Sequence, residues 1–579
     1  MTLRDRGLIA ALSLALIALS GVTLASSLEP PQGNGGQPSE LPRSRPYVEG
    51  VVGHATNASP FGARSPADKD LVALLFRGLV RLGPGNTIVP DLASSWDVNP
   101  SGSEWTFHLR PNLTWDDGAA LTSDDVVFTV DALSDPNYTG PGAASWRSVT
   151  ATAEDPLTVT LTLATPLGGF LQAATQPIAP AHLLGPVDPA DLPNDPFGRA
   201  PVGSGPFRLT FLDSSKAILE AITATDAPPP DGGPNFATPP PTDSLGEAPR
   251  TPPPGSAVPY LSGIELLFYD DISGLETAWQ RGILDAASGL SPGEATTLVT
   301  SAGATAQILR YPSTTLLAVD LDLRPARVEF RDPNVRKALL EAIPRDALVA
   351  GVLNGLGTRA DSLVPPTSAM FSASTVKIVP YSVAAARAAL TAAGWKVSGA
   401  SWVPAGAKGP VTIEVLSPEE TANPIAYATA QVVVSAWRAI GLDVQLTPLG
   451  AGELLGTRLH PGGFQAAVLP LAIGLDPDIY PLLASTQSRS GGSNASGLQD
   501  PSLDRLLEAA RAPGTEAERA AAYETLETRL ASEFYILPLA FRDEFAVVRD
   551  TVIGPTPRPV SGSGDRFWDV LTWRLADGR

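Results

Sequence analysis

Residues 70–133 constrain the fold more than any other stretch, because several different patterns follow one another there with clear breaks between them. Leu71, Leu74, Leu75 and Leu79 recur at helical spacing, which predicts an amphipathic helix. Gly83, Pro84, Gly85 and Asn86 then break the chain in a turn. Trp105, Phe107 and Leu109 alternate with polar residues, the pattern of a half-buried strand. Asp116, Asp117 and Gly118 close that element. Thr122, Ser123, Asp124 and Asp125 place capping residues and acids ahead of Val126, Val127, Phe128 and Val130, which predicts a helix start.

The rest of the chain extends the pattern. Its 579 residues exceed what one core holds, so several domains are expected. Strands are predicted at 48–54, 149–163, 217–221, 264–269 and 312–321. Asp332 and Pro333 form an N-cap and first helical residue. Residues 385–395 read as a helix closed by Gly394. Between 411 and 446 a strand, a helix ending at Gly441 and a second strand suggest a β-α-β unit. Asp500 with Pro501, and Thr515 with Glu518, mark the starts of two late helices.

Composition excludes several chemistries. The formal net charge of −20 argues against a nucleic-acid partner. Cysteine is absent, which removes disulfides, thiol catalysis and thiolate metal sites, and the four His are scattered. There is no nucleophile elbow, phosphate-binding glycine loop or zinc-binding helix motif. Ser374 and Lys377 have the spacing of a serine β-lactamase motif but lack its companions. The paired acids Asp116–Asp117 and Asp124–Asp125 read as turn and cap residues. No catalytic residue, metal or cofactor is therefore expected.

At the N-terminus, Arg4 and Arg6 precede an uncharged apolar run at 7–25. It reads as a signal peptide cut after Ala25, or as a retained anchor; either way the rest is exported. Residues 26–46 are rich in Pro, Gly, Ser and Gln and read as a flexible stalk. Residues 226–259 are so dense in Pro and so poor in large apolar residues that they are expected to be a disordered insertion.

Several phrases carry a resemblance. They are Pro90-Asp91-Leu92-Ala93 with Ser95-Trp96, Trp105-Thr106-Phe107-His108-Leu109-Arg110, Trp115-Asp116-Asp117-Gly118, and Asp124-Asp125-Val126-Val127-Phe128. Pro201-Val202-Gly203-Ser204-Gly205-Pro206-Phe207 and Asp332-Pro333-Asn334-Val335-Arg336 continue the series. In this order the chain resembles the bacterial solute-binding proteins of family 5, the extracytoplasmic receptors of peptide, nickel and related ABC importers.

The resemblance implies an α/β, two-lobe periplasmic-binding-protein-like fold of type II, in the large cluster with an extra small domain. A hinged cleft would lie between the lobes. Lobe I would comprise 47–76, 201–311 and 532–579, the small domain 77–200, and lobe II 312–531. The implied function is capture of a peptide or peptide-like solute by a monomer, and its delivery to an ABC permease. A membrane-tethered sensor or non-transporting binding protein of the same fold is the alternative.

For the ligand site, the expected residues are Tyr138 and Trp146 on a Gly/Pro-rich loop, Ser204 and Gly205 in the glycine segment, and Leu471, Ala472, Ile473, Gly474 and Asp476. The two glycines Gly203 and Gly205 are expected to serve close backbone approach and positive φ. In peptide-binding members, the segment ending in Asp-Pro-Asp carries an earlier Asp that holds the ligand's α-amine. Alignment on Asp476-Pro477 puts Ile473 at that position and Pro470 near the family's Trp. An isoleucine offers nothing to an ammonium, so either the ligand has no free amine there or another acid serves.

Overall fold

A computed structural model describes residues 45–222, 259–399, 401–489 and 492–576. The leader at 1–25, nearly all of the stalk, and nearly all of the insertion at 226–259 lie outside the described residues. Among the described residues, no helix is long and apolar enough to cross a membrane.

One eleven-stranded sheet runs through the molecule. From one edge its order is Asp443–Leu449, Thr412–Pro418, Ala466–Ala472, Ala306–Leu321, Ile536–Arg549, Ala286–Ser288, Tyr47–Val52, Gly263–Tyr269, Lys216–Ala221 and Phe207–Leu212. The short strand Gly357–Arg359 pairs beside Ile536–Arg549. Thr412–Pro418 and Asp443–Leu449 are parallel and joined by the helix Pro424–Ala439, the β-α-β unit expected from the pattern. The strands Ala306–Leu321 and Ile536–Arg549 cross from one apolar interior to another, Ala306 and Val547 lying in the first and Val319 and Leu537 in the second. They pair antiparallel along nearly their whole length, with register shifts between Pro312 and Leu316 and between Leu317 and Ala318.

The apolar interior falls into separate clusters. One apolar cluster joins Tyr47, Leu71, Phe107, Val159, Phe207, Leu266 and Trp573. It includes both the four-stranded sheet of Ala93–Val98, Glu104–Leu109, Thr158–Leu163 and Val149–Asp155, and the sheet residues of the first lobe. The segment around 77–200 is thus packed onto the first lobe through a shared interior. Separate clusters, around Val319, Trp437 and Leu537 on one face and Leu316, Ile473 and Tyr523 on the other, fill the second lobe. Burying so much apolar surface in distinct interiors leaves each lobe internally stiff.

Local signals formed as their chemistry requires. The Thr122 hydroxyl and Asp125 carboxylate make a reciprocal capping box on the helix Ser123–Ser134, and Thr515 with Glu518 does the same for Glu516–Glu533. The first helix, Pro66–Leu75, ends before Leu79, because Phe76 is already extended and the Arg77 amide is taken by the Ser204 hydroxyl. Residues 149–163 form two strands, Val149–Asp155 and Thr158–Leu163, with a turn at Pro156 and Leu157.

In the segment Pro201–Phe207, close approach is what the glycines serve. A Cβ on Gly203 would lie 2.3 Å from the Leu75 carbonyl oxygen, and one on Gly205 would lie 2.6 Å from that of Leu74. Neither glycine has positive φ, so that part of the expectation is corrected.

Candidate functional site

The second lobe presents the segment after the strand Ala466–Ala472 at the place where the crossing strands pass between lobes. The ladder between the two strands shifts register there. Pro312 pairs with Asp543, Leu316 pairs with Phe541, and Ser313 to Thr315 lie between. The freed backbone groups find other partners. The Thr314 amide donates to the Val560 carbonyl, the Val560 amide to Pro312, and the Ile473 amide to Thr314. Three remote parts of the chain therefore meet at this register shift. The Ser313 hydroxyl accepts from the Thr315 amide.

A few residues past Ile473, two carboxylates are held by two arginines from the late helices. Arg519 donates to both oxygens of Asp476, at 2.7 and 2.9 Å. Arg511 donates to Asp478 at 2.9 Å. The Tyr523 hydroxyl donates to the Pro477 carbonyl, and burial pushes its pKa up. Burial also raises Asp478, against the opposing pull of Arg511. For Arg519, burial lowers the pKa but the bonds to Asp476 outweigh it, and the net direction is upward. Such a bidentate pair is a charge-assisted clamp that fixes the loop.

The structure relocates several expected ligand residues. Tyr138 is fully buried, its ring against Phe61 and its hydroxyl donating to the carbonyls of Phe61 and Pro141. Trp146 ends a short helix and packs against Phe170 in the same core. Neither stands on a solvent-facing loop. Ser204 and Gly205 are engaged with the chain itself, through Ser204 Oγ to the Arg77 amide and the amides of both residues to the Leu75 carbonyl.

Ile473 turns into the apolar interior with Ile479, Leu483 and Tyr523, and is 5% exposed. Asp476 is saturated by Arg519. Of the remainder, Leu471 and Gly474 are half-buried and Ala472 is exposed.

Sequence reasoning missed Arg511 and Arg519, which reach the loop from two different helices, and the glycine pair Gly168 and Gly169 that faces them. A retrospective signal exists: Arg519 and Tyr523 share a helix face at i, i+4, and both address the Asp476-Pro477 dipeptide. Other acids around the crossing are also paired, Asp543 with Arg310 and Glu544 with Arg542.

Comparison with known proteins agrees with this architecture. The family model for bacterial extracellular solute-binding proteins, family 5 (middle region), matches residues 87–494. Protein XP55 of Streptomyces lividans is 26% identical over 534 residues, covering 91% of this chain and 87% of that protein. The oligopeptide-binding protein AppA of Bacillus subtilis is 24% identical over 496 residues, 84% of each chain.

Among solved structures, AppA from Bacillus subtilis in complex with a nonapeptide superposes with a TM-score of 0.71 at 21% identity, covering 92% of this chain and 99% of that one. NikZ from Campylobacter jejuni in complex with Ni(L-His) gives 0.68 at 22% identity, over 92% and 100%. The extent of the family match decides the assignment: this chain belongs to the bacterial extracellular solute-binding proteins of family 5, binding proteins rather than enzymes, and has their mixed α/β fold.

Proposed function

We propose that this chain captures a small solute outside the cell by hinge closure between its lobes and delivers it to an ABC permease, and that the solute is not anchored by a free α-ammonium at the family's usual position. The pivot at Ser313–Thr315, with stiff lobes on either side, supports the closure. The observation that carries the ligand reading is Ile473. It occupies the anchor position by alignment, and its side chain is buried among apolar neighbours. The neighbouring carboxylates cannot substitute while Arg519 and Arg511 hold them. Removing water from an ammonium without a carboxylate partner is strongly unfavourable.

Ligands named for relatives are diverse: a nonapeptide for AppA, Ni(L-His) for NikZ, and agropinic acid for AgaA of A. tumefaciens. A peptide-like molecule with a blocked or absent amine fits the residues here. Two measurements test this. Free di- to hexapeptides should give little thermal stabilisation, and micromolar binding of several would refute it. Mass spectrometry of the solute that copurifies with the protein should find a compound without a free α-amine.

A further inference from the structure

We infer that Gly168 and Gly169 are positioning residues for closure: they seat on the Asp476–Arg519 pair and set how far, and how often, the lobes come together. This rests on the hinge closure proposed above. The contact joins two bodies with separate interiors. Gly168 and Gly169 precede the helix Phe170–Ala173, whose Phe170 lies in the first-lobe core. Asp476, Arg511, Ala512 and Arg519 belong to the second lobe.

The approach is very tight. A Cβ on Gly169 would lie 2.4 Å from the Asp476 carboxyl carbon and 2.6 Å from Oδ2. A Cβ on Gly168 would lie 2.7 Å from the Ala512 carbonyl oxygen and 2.7 Å from Arg519 Nε. One backbone hydrogen bond crosses, from the Gly168 amide to the Arg511 carbonyl at 2.8 Å. A second touch point lies alongside, where a Cβ on Gly102 would meet Pro513 Cγ at 2.4 Å.

Backbone conformation does not account for the pair. Gly169 has φ −89° and ψ 13°, open to any residue, and Gly168 is not among the positive-φ positions. What demands glycine is the face of the other lobe, and only when the two are together.

The balance of the contact is also informative. It gains one hydrogen bond, yet Arg519 Nε, which faces Gly168, is buried without a partner. A contact of that kind defines the closed geometry without holding it shut, which leaves the decision to the solute. Ala472 and Gly474 lie within four residues of Asp476 on the same clamped segment, so a solute touching them would act on the loop that receives the glycines.

The chain has no cysteine, so a single engineered pair reports closure. Ser101→Cys and Pro513→Cys, treated with dimaleimidoethane, should cross-link in the full chain at a rate set by the closed population. Adding Gly169→Val should slow cross-linking by roughly tenfold or more, and Gly169→Ala by less, with circular dichroism and melting temperature unchanged. Equal rates in parent and Gly169→Val would overturn the proposal while leaving solute capture intact. Absence of any cross-link in the parent would overturn it as well, because the apposition would not be visited. Solute capture itself stands or falls separately, on the copurified compound. If Gly169→Val fails to fold, Gly168→Ala applies the same clash from the adjacent position, and an unchanged rate there refutes the idea equally.

Discussion

Replacing Asp320 with asparagine should remove most of a pH-dependent weakness built into the second lobe. Asp320 lies on the crossing strand Ala306–Leu321, between Ala467 and Ile536 of its two neighbours, and is 7% exposed. Its Oδ1 has no hydrogen-bond partner. Burial raises its pKa from 3.8 to about 7; the Leu321 amide pulls the other way, Asp322 adds to the rise, and Arg324 opposes it. That is about three powers of ten in proton affinity, or on the order of 4 kcal/mol at 1.36 kcal/mol per decade.

The sign follows from linkage. The folded chain binds this proton more tightly than the unfolded chain. The stabilisation is therefore complete below about pH 4 and is lost as pH rises to about 7. Urea unfolding of parent and Asp320→Asn, monitored between pH 4 and 8, should show near parity in acid. A gap of about 4 kcal/mol in favour of the variant should open by pH 8. The asparagine amide adds a constant offset, so the informative quantity is the change of the difference with pH. A difference that stays flat across that range would refute the reasoning.

Two further predictions concern the first lobe. Arg566 donates to both Glu49 oxygens and to Asp70, all deeply buried, and burial is the main influence raising Asp70. Arg566→Met should cost about 3–5 kcal/mol at neutral pH by leaving two interior carboxylates unpaired, with part recovered in acid; a loss under about 1 kcal/mol in urea unfolding would count against it. Excising 226–259 should leave the melting temperature within error. Lys216–Ala221 and Gly263–Tyr269 are already antiparallel partners with Glu220 opposite Gly263, so a short hairpin turn can join them. A drop of several degrees would show that the insertion contributes to packing.

What was legible in the sequence was what local chemistry decides. Thr122 with Asp125, Thr515 with Glu518, and Asp332 with Pro333 each mark a helix start through contacts a few residues apart, and each formed. Alternation at Trp105, Phe107 and Leu109 fixed the buried face of its strand for the same reason. The candidate site was less legible because its geometry is non-local.

Tyr138 illustrates the difficulty. The glycines and prolines around it suggest a surface loop, yet a Cβ on Gly140 would lie 2.3 Å from the Tyr138 hydroxyl. The glycine is there so that the chain can wrap the ring. Ile473 follows the end of a strand, where period-two reading no longer says which way a side chain points. Arg511 and Arg519 are ordinary exposed-helix residues by pattern, and only the tertiary fold brings them to Asp478 and Asp476.

The interruption between Pro312 and Leu316 also bears on how such proteins diversify. On both sides of it the crossing strands are paired by backbone ladders, with a second shift of register between Leu317 and Ala318, and Val560 is laid across it as a brace. A scored card folds at its score line whatever is printed on the panels. On the closure proposed above, main-chain bonding draws the crease, and the path of the swing is indifferent to the side chains facing the cargo. A lineage with this arrangement could exchange one cargo for a very different one by repainting the panels, while the crease and its travel stayed the same.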